Sequence, residues 1–300
     1  MSVKATYRFL TLAVAALLMA VAWGCSSKKS DSGRPTVAVN YESQRWLVEQ
    51  IAGTDFDVAV LLPPGRDPET YDPDMRVMER LSDAGVYLTT STLGFESVMK
   101  ERVGSNLPDL KVADISRGIS FITDTHTHSH SHGAHDSHAA TSADPHLLSS
   151  LRNASVMAGN IADELSALRP ERKEVYAANL ARLQSRFAAR DKEIDSLLNL
   201  PGAARAAAVT HPALSYFARD YGLRQVALER DGKEASPRQL RDRIEEAHDA
   251  GARTLFYEKG HDEERMRELA ASMGMDAIPV YFDGADFEEV TLRVARRLAK

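Results

Sequence analysis

The apolar positions of this chain fall into short β-branched clusters that alternate with stretches of helical spacing. Thr36–Asn40 is the first such cluster, and Glu42–Ala52 follows it with Trp46, Leu47 and Ile51 on one helical face. Phe56–Leu62 reads as a second strand, which Pro63-Pro64-Gly65 breaks into a loop. Helices are predicted at Met75–Ser82 and Gly94–Arg102, with strands at Gly85–Thr90 and Leu110–Ile115. The segment Thr123–Asp144 leaves this pattern: it is built of Ser, Thr, His, Asp, Ala and Gly without apolar period, and reads as a surface loop. Helix is predicted again over His146–Leu168 and, past Arg169-Pro170, over Glu171–Asn199. There Tyr176, Leu180, Leu183, Phe187, Ile194 and Leu198 form a continuous seam. At 1.5 Å per residue this second helix spans roughly 40 Å, the width of a domain.

Past Pro201-Gly202 the alternation restarts. Strands are predicted at Arg205–Thr210, Arg224–Leu228, Thr254–Glu258 and Asp276–Phe282, with helices at Ala213–Tyr221, Pro237–Ala250, Glu263–Met273 and Asp286–Leu298. Repeated strand–helix alternation implies parallel sheets covered on both faces. The expected fold is α/β: two lobes of parallel sheet flanked by helices, residues 36–168 and 202–300, bridged by one long rigid helix at 171–199.

The N-terminus changes the picture. Lys4 and Arg8 precede an apolar run from Phe9 to Trp23 that has the length and flanks of a signal peptide, residues 1–24. The run ends in Ala22-Trp23-Gly24-Cys25, and Cys25 is the only cysteine. The pattern resembles a bacterial lipobox, with Ala22 where Leu is usual, so lipid chains on Cys25 would anchor the body to a membrane through a polar tether, residues 25–35. Hydrophobic residues make up 43% and charged residues 27%, a globular balance. The net charge of -6 and the lack of a basic stripe argue against a nucleic-acid partner.

Open α/β sheets bind ligands beyond the carboxyl ends of their strands. Four metal-ligating side chains occupy such places: Glu69 after the second strand, His146 after the fourth, His211 after the first strand of the second lobe and Asp283 after its last. Two imidazoles and two carboxylates, drawn from both lobes, form a four-coordinate set for a metal in the interlobe cleft. Zinc accepts it, and manganese or iron uses the same donors. Each residue also has an ordinary structural explanation: solvated loop carboxylates, helix-start histidines, an Asp-Gly turn. His261, beside Gly260, is a spare ligand candidate. A second signal is His126, His128, His130, His132, His135 and His138, six of the ten histidines within one polar loop, which reads as an auxiliary, rapidly exchanging metal feature.

Residues Leu62 to Pro73, Asp144-Pro145-His146, Thr210 to Phe217 with Asp220-Tyr221-Gly222-Leu223, Glu234-Ala235-Ser236-Pro237 and Leu255-Phe256-Tyr257-Glu258 occur in order along the chain. Together they resemble the zinc and manganese solute-binding lipoproteins of ABC importers. The first three are similar to that family's ligand loops; the last two match segments that are not ligand loops. The resemblance implies metal, zinc foremost, bound between two lobes. It also implies delivery to a membrane permease driven by a separate cytoplasmic ATPase, by a monomer on the extracytoplasmic side. Glu69 departs from the family's usual histidine, although some members carry Glu there; Asp283 stands where manganese-type members keep an aspartate and many zinc members leave the position to water. No G-x-x-x-x-G-K-[ST] loop occurs, so the chain is not read as the ATPase. A receptor without turnover is thus expected. Two rival readings remain: a metal-dependent hydrolase, for which no H-E-x-x-H motif is present, and a zinc buffer using only the histidine loop.

Overall fold

The structure, a computed structural model, describes residues 33–63, 66, 68, 71–123, 143–229 and 236–300. Two four-stranded, all-parallel sheets organise the chain. The first consists of β1 (Thr36–Val39), β2 (Asp57–Val60), β3 (Ala84–Thr89) and β4 (Lys111–Asp114), in the order β2-β1-β3-β4. The second consists of β5 (Ala206–Val209), β6 (Arg224–Ala227), β7 (Thr254–Glu258) and β8 (Asp276–Val280), in the equivalent order β6-β5-β7-β8.

Helices α1 (Glu42–Ala52), α2 (Met75–Ser82) and α3 (Gly94–Asn106) belong to the first lobe; α6 (Ser215–Tyr221), α7 (Pro237–Asp249), α8 (Glu263–Ser272) and α9 (Phe287–Leu298) belong to the second. Between them run α4 (Leu151–Leu168) and the long α5 (Lys173–Leu198). Among the described residues no helix is long and apolar enough to cross a membrane.

Local chemistry explains the ends of these elements. Gly53 closes α1 at φ +61°, a conformation that costs glycine little. Asp74 caps α2 by accepting from the backbone N–H of Arg76. The third helix runs four residues past its expected end at Arg102 and stops at Leu107, before Pro108, because nothing before that proline forbids helical backbone. The helix expected to begin at His146 does not do so. Leu147–Ser149 is a single 3₁₀ turn, and α4 starts only after Ser150, whose hydroxyl accepts from the N–H of Asn153. The consecutive serines compete for backbone groups and shift the cap four residues downstream. Pro170–Arg172 likewise forms a 3₁₀ turn ahead of α5.

The ends of the expected surface loop at 123–144 are also structured. Thr123 pairs antiparallel with Ala143, and Asp144 is buried. The loop's six histidines lie outside the described residues, as do Glu69 and Cys25.

One apolar core runs through both lobes. Val37, Val39, Val86 and Leu88 of the first sheet and Ala207, Val209 and Phe256 of the second belong to the same buried cluster as Tyr176, Leu183, Phe187 and Ile194 of α5. The long helix packs along α1, α4 and α9, touching elements of both halves. Two smaller clusters cover the opposite faces of the two sheets.

Candidate metal centre

Each sheet changes direction between its first and third strands, and such switch points open a crevice at the carboxyl ends. In the second sheet this point lies between β5 and β7. His211 follows β5 by two residues, and Glu258 is the last residue of β7. Pro212 has no N–H to extend the strand, and Ala213 turns back to donate to the carbonyl of His211 at 2.7 Å. The side chain of Gln225 then accepts from the N–H of Leu214 at 2.7 Å, fixing the start of α6 and with it the His211 turn.

His146 arrives from the other direction. Asp144 Oδ1 accepts the backbone N–H of His146 at 2.8 Å and lies 2.9 Å from its Nδ1. The imidazole is nearly enclosed, with 11% of its side chain exposed, and it packs against His211 with ring centres 5.0 Å apart and planes tilted by 60°. Two imidazoles that share one tetrahedral ion at a metal–nitrogen distance of about 2.05 Å have ring centres roughly 5 Å apart. The observed pair has that separation.

Glu258 completes the immediate surroundings. Its Oε1 lies 3.7 Å from His146 Nε2, longer than a direct hydrogen bond but close enough for strong charge interaction. Burial works against a charged His146, yet hydrogen bonding and charge from Asp144 and Glu258 hold the imidazole well above its usual range. The carboxylates respond in kind. Burial would raise both, but His146 draws Asp144 and Glu258 below their ordinary values, with Ser215 assisting at Asp144 and His211 and His261 at Glu258. A cation bound at Nε2 would have to displace any proton there, which would couple capture to proton release.

Asp283 follows β8 at the same end of the sheet, and its carbonyl accepts from the N–H of Ser43 at the start of α1 at 2.8 Å, tying the second lobe to the first. Burial pushes the hydroxyl of Tyr281 up to about 12, and the nearby charges of Asp283, Glu42, Glu258 and Asp286 add to the effect. Asp283 and Glu258 thus both lie near the Tyr281 ring, at the same end of the sheet. His261 is exposed, at the rim of Glu258.

Of the four residues singled out from sequence, the structure brings His146 and His211 together, sets Asp283 on the same sheet end, and leaves Glu69 outside its described part. Among the described residues no three His, Cys, Asp or Glu side chains are closed tightly enough to hold an ion as they stand. The sequence reading set the Leu255–Glu258 segment apart from the ligand loops; the fold instead puts Glu258 against His146. The signal was a charged residue ending an otherwise apolar strand at the carboxyl edge of the sheet.

The family model described as zinc-uptake complex component A, periplasmic, matches residues 37–289. The chain belongs to this family. Among curated relatives, it is similar to the manganese ABC transporter substrate-binding lipoprotein PsaA of Streptococcus mitis, with 26% identity over 90% of this chain and 87% of that protein. It is also similar to the zinc-binding lipoprotein AdcA of Streptococcus pneumoniae serotype 4, with 27% identity over 76% of this chain and 45% of the longer relative. Among solved structures, the crystal structure of ZnuA aligns with a TM-score of 0.76 and 28% identity, covering 89% of this chain and 98% of ZnuA. The matched residues take in strands of both sheets and the long helix described above.

Proposed function

We propose that this protein captures a divalent transition-metal ion, zinc foremost, on the extracytoplasmic side of a membrane and hands it to an ABC importer. His146 and His211 are the nitrogen donors; Glu69 and Asp283 supply oxygen, and Glu258 adds negative charge beside them. The observation that carries the reading is the His146–His211 pair. Two imidazoles from separate parts of the chain are held at the spacing a shared ion requires, in a family of periplasmic zinc-uptake components. The ion is cargo, so the protein is a receptor without turnover. Its partners are a membrane permease and a separate cytoplasmic ATPase, and Cys25 carries the lipid anchor of a monomer.

Manganese is the second reading. The carboxylates Glu69, Asp283 and Glu258 give the site more oxygen character than a histidine cluster, and one of the similar relatives is a manganese lipoprotein.

Competitive titration against a tight chromophoric chelator tests both readings, because weak exchange sites stay silent in it. One tight zinc equivalent is expected. His146→Ala or His211→Ala should weaken it by roughly 100-fold or more, about 2.7 kcal/mol. Zinc binding that survives both substitutions would remove this site, and tighter manganese than zinc would change the cargo.

A further inference from the structure

Asp144 is heavily engaged beside the histidines, and the proposed ligand set does not include it. Its side chain is 4% exposed, and Oδ1 meets both the backbone N–H and Nδ1 of His146, at 2.8 and 2.9 Å. Its own N–H donates to the carbonyl of Ile122 at 2.8 Å, next to the Thr123–Ala143 pair. The hydroxyl of Tyr216 donates to the Asp144 carbonyl at 2.8 Å and accepts from the N–H of Ile122 at 3.3 Å. Tyr216 stands in the first turn of α6, five residues after His211. A single residue thus grips His146 at two points and the His211 segment through Tyr216.

This arrangement has a geometric consequence. The torsion that turns an imidazole ring is broad when nothing holds it. With Nδ1 taken by Asp144, Nε2 is the nitrogen turned toward Glu258 and the other ring. Carboxylates on the far nitrogen of a metal-bound histidine fix its orientation, and losing one typically weakens metal binding by about 10- to 100-fold.

We propose that Asp144 is the positioning residue of the metal centre, aiming Nε2 of His146 and fixing that ring in register with the His211 helix before an ion arrives. The proposal rests on the capture function argued above.

The test uses the full chain in mild detergent, with zinc affinity read by chelator competition and coordination read from the visible bands of the cobalt-loaded protein. Asp144→Asn keeps the shape and one acceptor oxygen. It should lose roughly 10-fold in zinc affinity, and Asp144→Ala should lose more, within the 10- to 100-fold range. The cobalt bands should shift in both, while the far-UV circular dichroism of the metal-free protein stays that of the parent. Tyr216→Phe leaves the carboxylate in place and removes only the second grip. It should cost about 2- to 10-fold, the worth of one hydrogen bond, and it decides the matter if Asp144→Ala does not fold. Zinc affinity and cobalt spectra within twofold of the parent in Asp144→Asn and Tyr216→Phe, with His146→Ala losing zinc, would overturn the positioning role alone. Tight zinc retained by His146→Ala would overturn the site and the positioning role together.

Discussion

Replacing Phe187 by alanine tests whether the two lobes share a core or merely touch. Phe187 lies on α5 with 1% of its surface exposed, and its ring is 6.3 Å from Trp46 on α1 and 6.2 Å from Phe287 on α9. Trp46 and Phe287 also meet edge-on at 5.4 Å. The three rings thus come from the first lobe, the long helix and the second lobe. Truncating a buried phenylalanine to alanine costs about 3–5 kcal/mol, from lost transfer energy plus the cavity left behind. Offset and edge-on aromatic pairs add roughly 0.5–1.5 kcal/mol each beyond area. Two such contacts place Phe187→Ala at the upper end of the range, near 4–5 kcal/mol.

Thermal melting of the metal-free protein, followed by far-UV circular dichroism, reads the effect. For a chain of this size about 2–4 °C accompanies each kcal/mol, so the midpoint should fall by roughly 8–20 °C as a single transition. Urea unfolding supplies the free energy independently. A loss below about 2 kcal/mol would show that the site relaxes around the cavity. Two transitions, one of them unmoved, would refute the shared core outright.

Glu96 is fully buried and accepts from Asn40, from the hydroxyls of Thr89 and Thr90, and from the N–H groups of Thr90, Thr92 and Leu93; Glu96→Gln turns an NH₂ toward these donors and should cost about 3 kcal/mol or more in urea unfolding, so a loss within 1 kcal/mol would mean the loops re-pair easily. Burial alone would raise the Asp55 carboxyl, but hydrogen bonds from Arg172 and Tyr176 and the charge of Arg169 hold it below the usual carboxylate range. A lowered folded value contributes stability that is present above the unfolded value of about 3.9 and is lost as pH falls through the folded value. Asp55→Asn should therefore be less stable than the parent at pH 7, with the gap closing in acid; an equal gap across melts from neutral pH to pH 3 would contradict this. Small-angle scattering of metal-free and zinc-loaded protein should give the same radius of gyration, and a clear contraction on loading would mean the lobes swing.

Much of the fold was readable along the chain because both sheets are parallel and buried on two faces. Val37–Val39 and Ala206–Val209 are apolar without alternation, as such strands must be. The bounds of α1, α2 and β7 agree with the periodicity residue for residue. At two of the places where expectation and structure part, a contact distant in sequence contributes. The start of α4 moved because Ser150 caps it, and Ser150 is itself held by Asp220, seventy residues on. Thr123 and Asp144 look like loop residues by composition, but Tyr216 holds their stem in the core.

The site divides in the same way. His146 and His211 were visible as histidines beyond strand ends. Their 5.0 Å separation depends on how two sheets face each other, which no spacing along one chain encodes. Glu258 was overlooked because a glutamate at a strand end is unremarkable until an imidazole from the other half of the chain is brought against it.

The shared core also limits how such a protein releases its ion. A wide hinge about α5 would have to part Trp46, Phe187 and Phe287 and wet their faces. Exposing one large apolar side chain costs about 1.5–3 kcal/mol, so parting three costs roughly 5–9 kcal/mol before any other contact is broken. Further ties cross the same boundary: the Ser43–Asp283 hydrogen bond, the Arg186 and Arg190 bridges from the long helix to Glu288 and the Tyr216 clamp on Asp144. Release of an ion from the proposed site would need none of these contacts to part. In the proposed site, a small shift of one ligand-bearing loop would open the coordination shell while the core stays packed. On the proposed reading the carboxylates of Asp144 and Glu258, which favour the protonated form of His146, would let a proton compete with the ion as it leaves.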